Sequence, residues 1–128
     1  MIMEEIEYQI EVTVKTTYIP EQSDPEQQRY VFAYTVQMAN TGKVAATLLT
    51  RKWIITNARG EKHEVQGVGV VGEQPHLKPG ETFEYTSGTV LETPVGSMEG
   101  SYQMIAEDDT HFESLIAPFS LSVPHSLH

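Results

Sequence analysis

The sequence of 128 residues contains no cysteine, which excludes disulfides, thiolate nucleophiles, a redox pair and any cysteine-based zinc site. It is also poor in basic residues: eight Lys and Arg stand against eighteen Asp and Glu, for a net charge of −10. A chain this acidic repels nucleic-acid phosphates and anionic lipid, so neither nucleic acid nor a membrane is expected as a partner. No run of eighteen apolar residues occurs, which leaves no candidate membrane-spanning helix. The opening Met1-Ile2-Met3-Glu4-Glu5 is acidic and lacks the apolar stretch of a secretory signal, so a cytoplasmic location is the expectation. Helical periodicity is missing too. No segment of eleven or more residues carries an apolar stripe at 3.6-residue spacing.

What the chain does have is alternation. Tyr8, Ile10, Val12 and Val14 share one face of a strand, and Tyr30, Phe32, Tyr34, Val36 and Met38 share one face of the next. Thr47 to Asn57 sets Leu49, Trp53 and Ile55 on one side with Arg51 between them, and Glu61 to Gln66 follows as its hairpin partner across Ala58-Arg59-Gly60. Thr82 to Thr86, then Met98 to Ala106, then Phe112 to Val123 supply the remaining strands. In the last of these the apolar parity changes, from Phe112 and Ile116 to Phe119, Leu121 and Val123, and Pro118 stands at the change. A one-residue slip reverses every side chain, so a β-bulge is expected there.

Seven or eight strands separated by Gly, Pro and Asn predict an all-β antiparallel sandwich of immunoglobulin or fibronectin type III kind, in a single domain over 1–128. Trp53 is its expected central plug, with the indole N–H bonded to a main-chain carbonyl. Tyr102 is expected to act as a corner tyrosine, its hydroxyl on main chain. Three connections are expected to be long: Tyr18 to Gln27, Gly67 to Pro79 and Gly88 to Ser97. Such loops are where a sandwich usually keeps its function.

Charge is unevenly spread. Between Lys43 and Lys78 six basic residues meet three acids, a local +3 in a chain whose remainder sums to −13. Inside that stretch lies Gly67-Val68-Gly69-Val70-Val71-Gly72, a G-x-G-x-x-G string. A dinucleotide site needs a helix directly after it. Pro75, Pro79 and Gly80 forbid one. A helix-free anion nest remains open, with Gly67, Gly69 and Gly72 as the cradle and Arg51, Lys52 and Lys62 as clamps for phosphate. The plainer reading of the same glycines is a bulge and a tight loop.

Glu107, Asp109 and His111 offer oxygen and nitrogen ligands to a divalent cation, although an acidic hairpin tip is ordinary solvated chemistry and the spacing lacks the pattern of a calcium loop. His63 and His76 have no histidine at ligand spacing, and no cofactor is expected. The sequence has no G-x-S-x-G elbow and no H-E-x-x-H, so a non-enzymatic module is the expected class. Its expected partner is a protein, with a second copy of the chain as one candidate, engaged through the Gly67–Pro79 loop or a sheet edge. The alternative is a phosphate, pyrophosphate or nucleotide ligand, with hydrolysis as one version.

Four ordered segments, Leu49-Thr50-Arg51-Lys52-Trp53-Ile54-Ile55, Gly67 to Pro75, Leu77-Lys78-Pro79-Gly80-Glu81 and Gly96 to Met104, together resemble the bacterial ApaG proteins from about Tyr8 to Val123. The resemblance implies a fibronectin type III-like sandwich, a genetic association with cobalt tolerance and magnesium efflux, and use as an interaction module. It brings no catalytic residues. Lys52 stands where the family often has histidine before the tryptophan, which weakens a metal role at that position. Asp109-Thr110 stands where Asp-Gly is usual, which implies a less tight final hairpin.

Overall fold

The computed structural model describes residues 7–124. Eight strands run in chain order: β1 (Ile10–Tyr18), β2 (Tyr30–Asn40), β3 (Ala46–Asn57), β4 (Lys62–Val68), β5 (His76–Leu77), β6 (Thr82–Leu91), β7 (Val95–Ala106) and β8 (His111–Ser122). They form two antiparallel sheets. One has the order β1-β2-β6, and the other the order β4-β3-β7-β8 with the short β5 beside β3. The alternating faces meet as expected. Phe32, Tyr34, Val36 and Met38 of β2 pack against Leu48, Trp53, Met98, Tyr102, Met104 and Leu121 of the opposing sheet. Trp53 is 2% exposed and meets Tyr34, Tyr102 and Phe119 edge-on at ring separations of 5.4, 6.3 and 5.9 Å. Edge-to-face packing places the positive rim of one ring on the negative face of the next.

Two bulges set which residues face inward. In β8 the pairing jumps from Met98 with Phe119 to Gly100 with Ile116, so one extra residue sits at Ala117-Pro118. This is the parity change visible at Pro118. The second bulge lies in β3, where Leu48 pairs Met104 but Thr50 pairs Gln103. Its extra residue is Leu49. The inward leucine is therefore Leu48, fully buried, and not the Leu49 that plain alternation selects.

One of the three expected long connections is mostly strand, and a second is strand at both ends. The Gly88–Ser97 segment belongs to β6 and β7 except for Glu92-Thr93-Pro94. Gly88 extends β6 because neighbouring β2 supplies a full ladder down to Tyr30 opposite Leu91. The Gly67–Pro79 segment is held to its sheet by β4, by a bridge between Val70 and Glu73, and by β5 pairing Ala46 and Thr47. Tyr18–Gln27 is irregular beyond the end of β1 at Tyr18, with 3₁₀ turns at Pro20–Gln22 and Pro25–Gln27.

The final hairpin is as tight as the one between β3 and β4. In the first, Gly60 N–H donates to Asn57 O at 3.0 Å, and Asn57 N–H donates to Glu61 O at 3.0 Å. In the last, Asp109 N–H donates to Ala106 O at 2.9 Å, and Ala106 N–H donates to Thr110 O at 2.8 Å. Asp109 takes the left-handed position, φ 67°, that Gly60 takes at 81°. Aspartate tolerates that region, so no glycine is required.

Candidate functional site

The sandwich is shut along one side and open along the other. On the open side, β4 and β6 are the outer strands of their respective sheets, and a cleft of about 570 Å³ lies between them. That size falls within the range typical of ligand pockets. Its floor is the inward row of β3, namely Arg51, Trp53 and Ile55, together with Tyr34 from β2. One wall is Lys62, His63 and Val65 of β4. The opposite wall is the unbroken run from Ser87 to Glu92. Successive side chains of a strand point to opposite faces. A wall made of consecutive residues is therefore a strand edge, presenting backbone N–H and C=O groups.

Arg51 is the unusual member of this set. It stands on the inward face of β3, opposite Gly67 of β4. A Cβ at Gly67 would collide with the Arg51 guanidinium, so this glycine makes room for the arginine. Arg51 Nη1 donates to the carbonyls of Val68 at 3.1 Å and Gly69 at 2.8 Å. Among the described residues no carboxylate pairs with it. The two acids of the cleft are already matched: Arg59 reaches Glu61 at 2.7 Å and Glu92 at 2.8 Å. Those contacts hold Glu61 below the usual carboxylate range, chiefly through its bond from Asn57 and then through Arg59. Trp53 adds an unmatched donor. Its buried indole N–H has no acceptor among the described residues, where a main-chain carbonyl was expected.

The other candidates separate. Lys52 points to the outer face and pairs with Glu64 at 3.2 Å, so only Arg51 and Lys62 of the three proposed clamps reach the cleft. In the glycine string, the N–H groups of Gly69, Val70 and Glu73 donate to Leu49, Glu73 and Val70 carbonyls. A nest needs converging unpaired N–H groups, and these three are committed within the sheet. Val71 and Gly72, with φ of 42° and 81°, form a two-residue hairpin turn of the I′ kind. Glu107 turns to His76, 3.3 Å from its Nε2, while neighbouring Asp108 accepts a hydrogen bond from the Tyr8 hydroxyl. No group of three or more His, Asp or Glu placed to hold a metal ion occurs among the described residues.

Two further arrangements resemble chemistry. Thr47 Oγ1 lies 2.8 Å from His76 Nδ1, whose other nitrogen faces Glu107, a hydroxyl–imidazole–carboxylate series. His76 and Glu107 are exposed and neither lies in the open-side cleft. The contacts tie β5 to β3 and to the end of β7. Tyr102 is not a corner tyrosine: its buried hydroxyl bonds the Tyr85 hydroxyl across the sheets. Burial pushes Tyr85 up to about 12 and Tyr102 further.

The whole chain can now be placed. A family model described as the ApaG domain matches residues 20–106. The chain belongs to the ApaG family. It is 61% identical over 124 residues to Protein ApaG of Nitrosomonas europaea, covering 97% of this chain and 98% of that one. It is 54% identical over 126 residues to Protein ApaG of Pseudomonas putida, covering 98% and 100%. A crystal structure of an ApaA protein from Bordetella pertussis superposes with a TM-score of 0.92 at 51% identity, over 96% of this chain and all of that one. No helix among the described residues is long and apolar enough to cross a membrane.

Proposed function

We propose that this family member is a non-enzymatic binding module that takes an extended segment of a partner protein into the cleft between β4 and β6. The carrying observation is the wall from Ser87 to Glu92, an unpaired strand edge above an aromatic floor of Trp53 and Tyr34. An extended peptide laid along that edge adds a strand to the β1-β2-β6 sheet, with main-chain hydrogen bonds supplying affinity. Its alternate side chains enter the cleft and supply specificity. The glycine hairpin is strapped to its own sheet and does not line the cleft. An influence on cobalt or magnesium handling then runs through the partner.

The test is selection from a random displayed peptide library, followed by NMR titration with recovered peptides. Shifts confined to Ser87–Leu91, Trp53 and the inward residues of β4, and binding lost in Thr89→Trp, support the module. A library that yields no binder, or shifts that map to another face, overturns it. Concentration-dependent shifts at the same residues without peptide identify a second copy of the chain as the occupant.

A further inference from the structure

The open-side cleft carries more hydrogen-bond donors than it can match from its own walls. Arg51 is half-buried, and among the described residues its guanidinium donates to two backbone carbonyls. A positive charge in that position lacks the carboxylate that commonly offsets desolvation. The Trp53 N–H is fully removed from solvent and has no acceptor among the described residues, so it reports on the cleft floor and is not itself a contact for a ligand. Lys62 and His63 stand on the β4 wall, and neither pairs with an acid among the described residues. The acids of the cleft, Glu61 and Glu92, are both held by Arg59 at the end nearest the β3–β4 and β6–β7 turns, away from Arg51, whose guanidinium turns to Val68 and Gly69. What remains is a donor-rich cleft with aromatic sides in a protein of charge −10.

We propose that the cleft recognises an extended peptide bearing a carboxylate, an Asp or Glu side chain or a chain terminus, whose oxygens are bound by the Arg51 guanidinium beside the Trp53 and Tyr34 floor. This rests on the binding-module reading and adds the chemistry of the segment bound. Arginine suits the role because its planar fork offers parallel donors to two oxygens, which a lysine cannot. The two bonds to Val68 and Gly69 carbonyls fix the guanidinium before a ligand arrives, so less rotamer freedom is lost on binding. The cleft also gives the carboxylate a setting shielded from water, where charge-assisted bonds are stronger than at an open surface.

The peptides recovered from the library supply the probes. Each acidic peptide is synthesised beside its amide counterpart, Glu→Gln or Asp→Asn, and both are titrated into isotopically labelled protein. The chain has a single tryptophan, so one indole N–H resonance reports the site without assignment. The expected result is about tenfold or stronger binding of the acidic form, with the indole resonance displaced by the acid and scarcely by the amide. In Arg51→Met the two forms bind equally. Arg51→Lys, which keeps a charge should the methionine variant fold poorly, retains only part of the preference.

Equal binding of acid and amide to the wild type overturns the inference and leaves the module reading standing. A preference that survives intact in Arg51→Met also overturns it. Failure to recover any peptide removes both. Pyrophosphate that displaces the indole resonance while acidic peptides do not assigns the cleft to phosphate instead, and that outcome also overturns the carboxylate.

Discussion

The two long sides of this sandwich are built from the same kind of strand and end differently. Along the closed side, the edges β1 and β8 meet. Ser114 Oγ donates to the Ile10 carbonyl at 2.8 Å in a buried position, and Tyr8 packs on Phe112 with ring centroids 5.7 Å apart. Along the open side, β4 and β6 do not meet. Their sheets are linked at one end by Arg59 between Glu61 and Glu92, and by Ala58 N–H donating to Thr93 Oγ1 at 3.0 Å. The closed side is sealed by a neutral bond and apolar packing, which water does not weaken. The open side is held by exposed ion pairs, which solvent and salt screen. Stability is thus concentrated on one side and accessible backbone on the other, which is the distribution a binding edge needs.

Core truncation gives the largest contrast. Leu121→Ala removes a fully buried side chain from β8, and unfolding titrations should show a loss of about 2–5 kcal/mol. Val65→Ala, on the β4 wall where the side chain is half-exposed, should cost about 1 kcal/mol or less. Equal losses would mean that the open side is packed as tightly as the closed one.

The second contrast is alkaline. The hydroxyls of Tyr85 on β6 and Tyr102 on β7 bond each other inside the sandwich, and burial raises both above the ordinary phenol value, Tyr85 to about 12. The unfolded chain releases these protons near pH 10. The folded form keeps them to higher pH, so their contribution is complete below pH 10 and declines as pH rises towards 12 and beyond. Melting temperature should fall steeply across that window. Tyr85→Phe should lower stability at neutral pH and flatten the alkaline fall. An unchanged alkaline slope in that variant would place the titration elsewhere.

A smaller effect belongs to the β4 tip. Val71 holds φ of 42°, a region a β-branched side chain rarely occupies. Asparagine suits the first position of this turn. Val71→Asn should therefore stabilise the protein by about 1 kcal/mol, read as a rise in melting temperature. Loss of stability would show that the exposed valine contributes packing that outweighs its backbone strain.

How much of this was legible from residues depends on whether a local pattern carried it. The Pro118 bulge was visible because polar and apolar residues change parity around it. The Leu49 bulge was hidden, since Leu48 and Leu49 are both apolar and either can be read as the inward residue. Gly88 suggested a loop because its backbone freedom is local information, whereas its place in β6 is imposed by β2. Arg51 showed itself as a charge in an apolar row, but its lack of a carboxylate partner among the described residues required the fold, which gathers both acids of the cleft at the far end with Arg59. The cleft has no signature in sequence. It exists because β4 and β6, separated in the chain by the two-residue β5, are the outer strands of different sheets on the same side, and strand pairing decides that.

The smallest expected change in stability tests the open side most directly. Arg59 pairs with Glu61 and Glu92 through exposed side chains, so Arg59→Ala should alter the unfolding free energy by about 0.5 kcal/mol or less. It removes the ion pairs that link the β3–β4 turn to the β6–β7 turn, and it leaves two carboxylates beside the cleft without their cation. Amide hydrogen exchange should accelerate along Lys62–Val65 and Ser87–Leu91 while Ile10–Val14 and Ser114–Ile116 stay as protected as in the wild type. Arg51 lies at the other end of β4, opposite Gly67, so the preference for acidic over amide peptides should be kept. Acceleration spread evenly over both sides would show that Arg59 supports the whole sandwich, and the distinction between a sealed side and an open one would then rest on the contacts of Ser114 with Ile10 and of Tyr8 with Phe112.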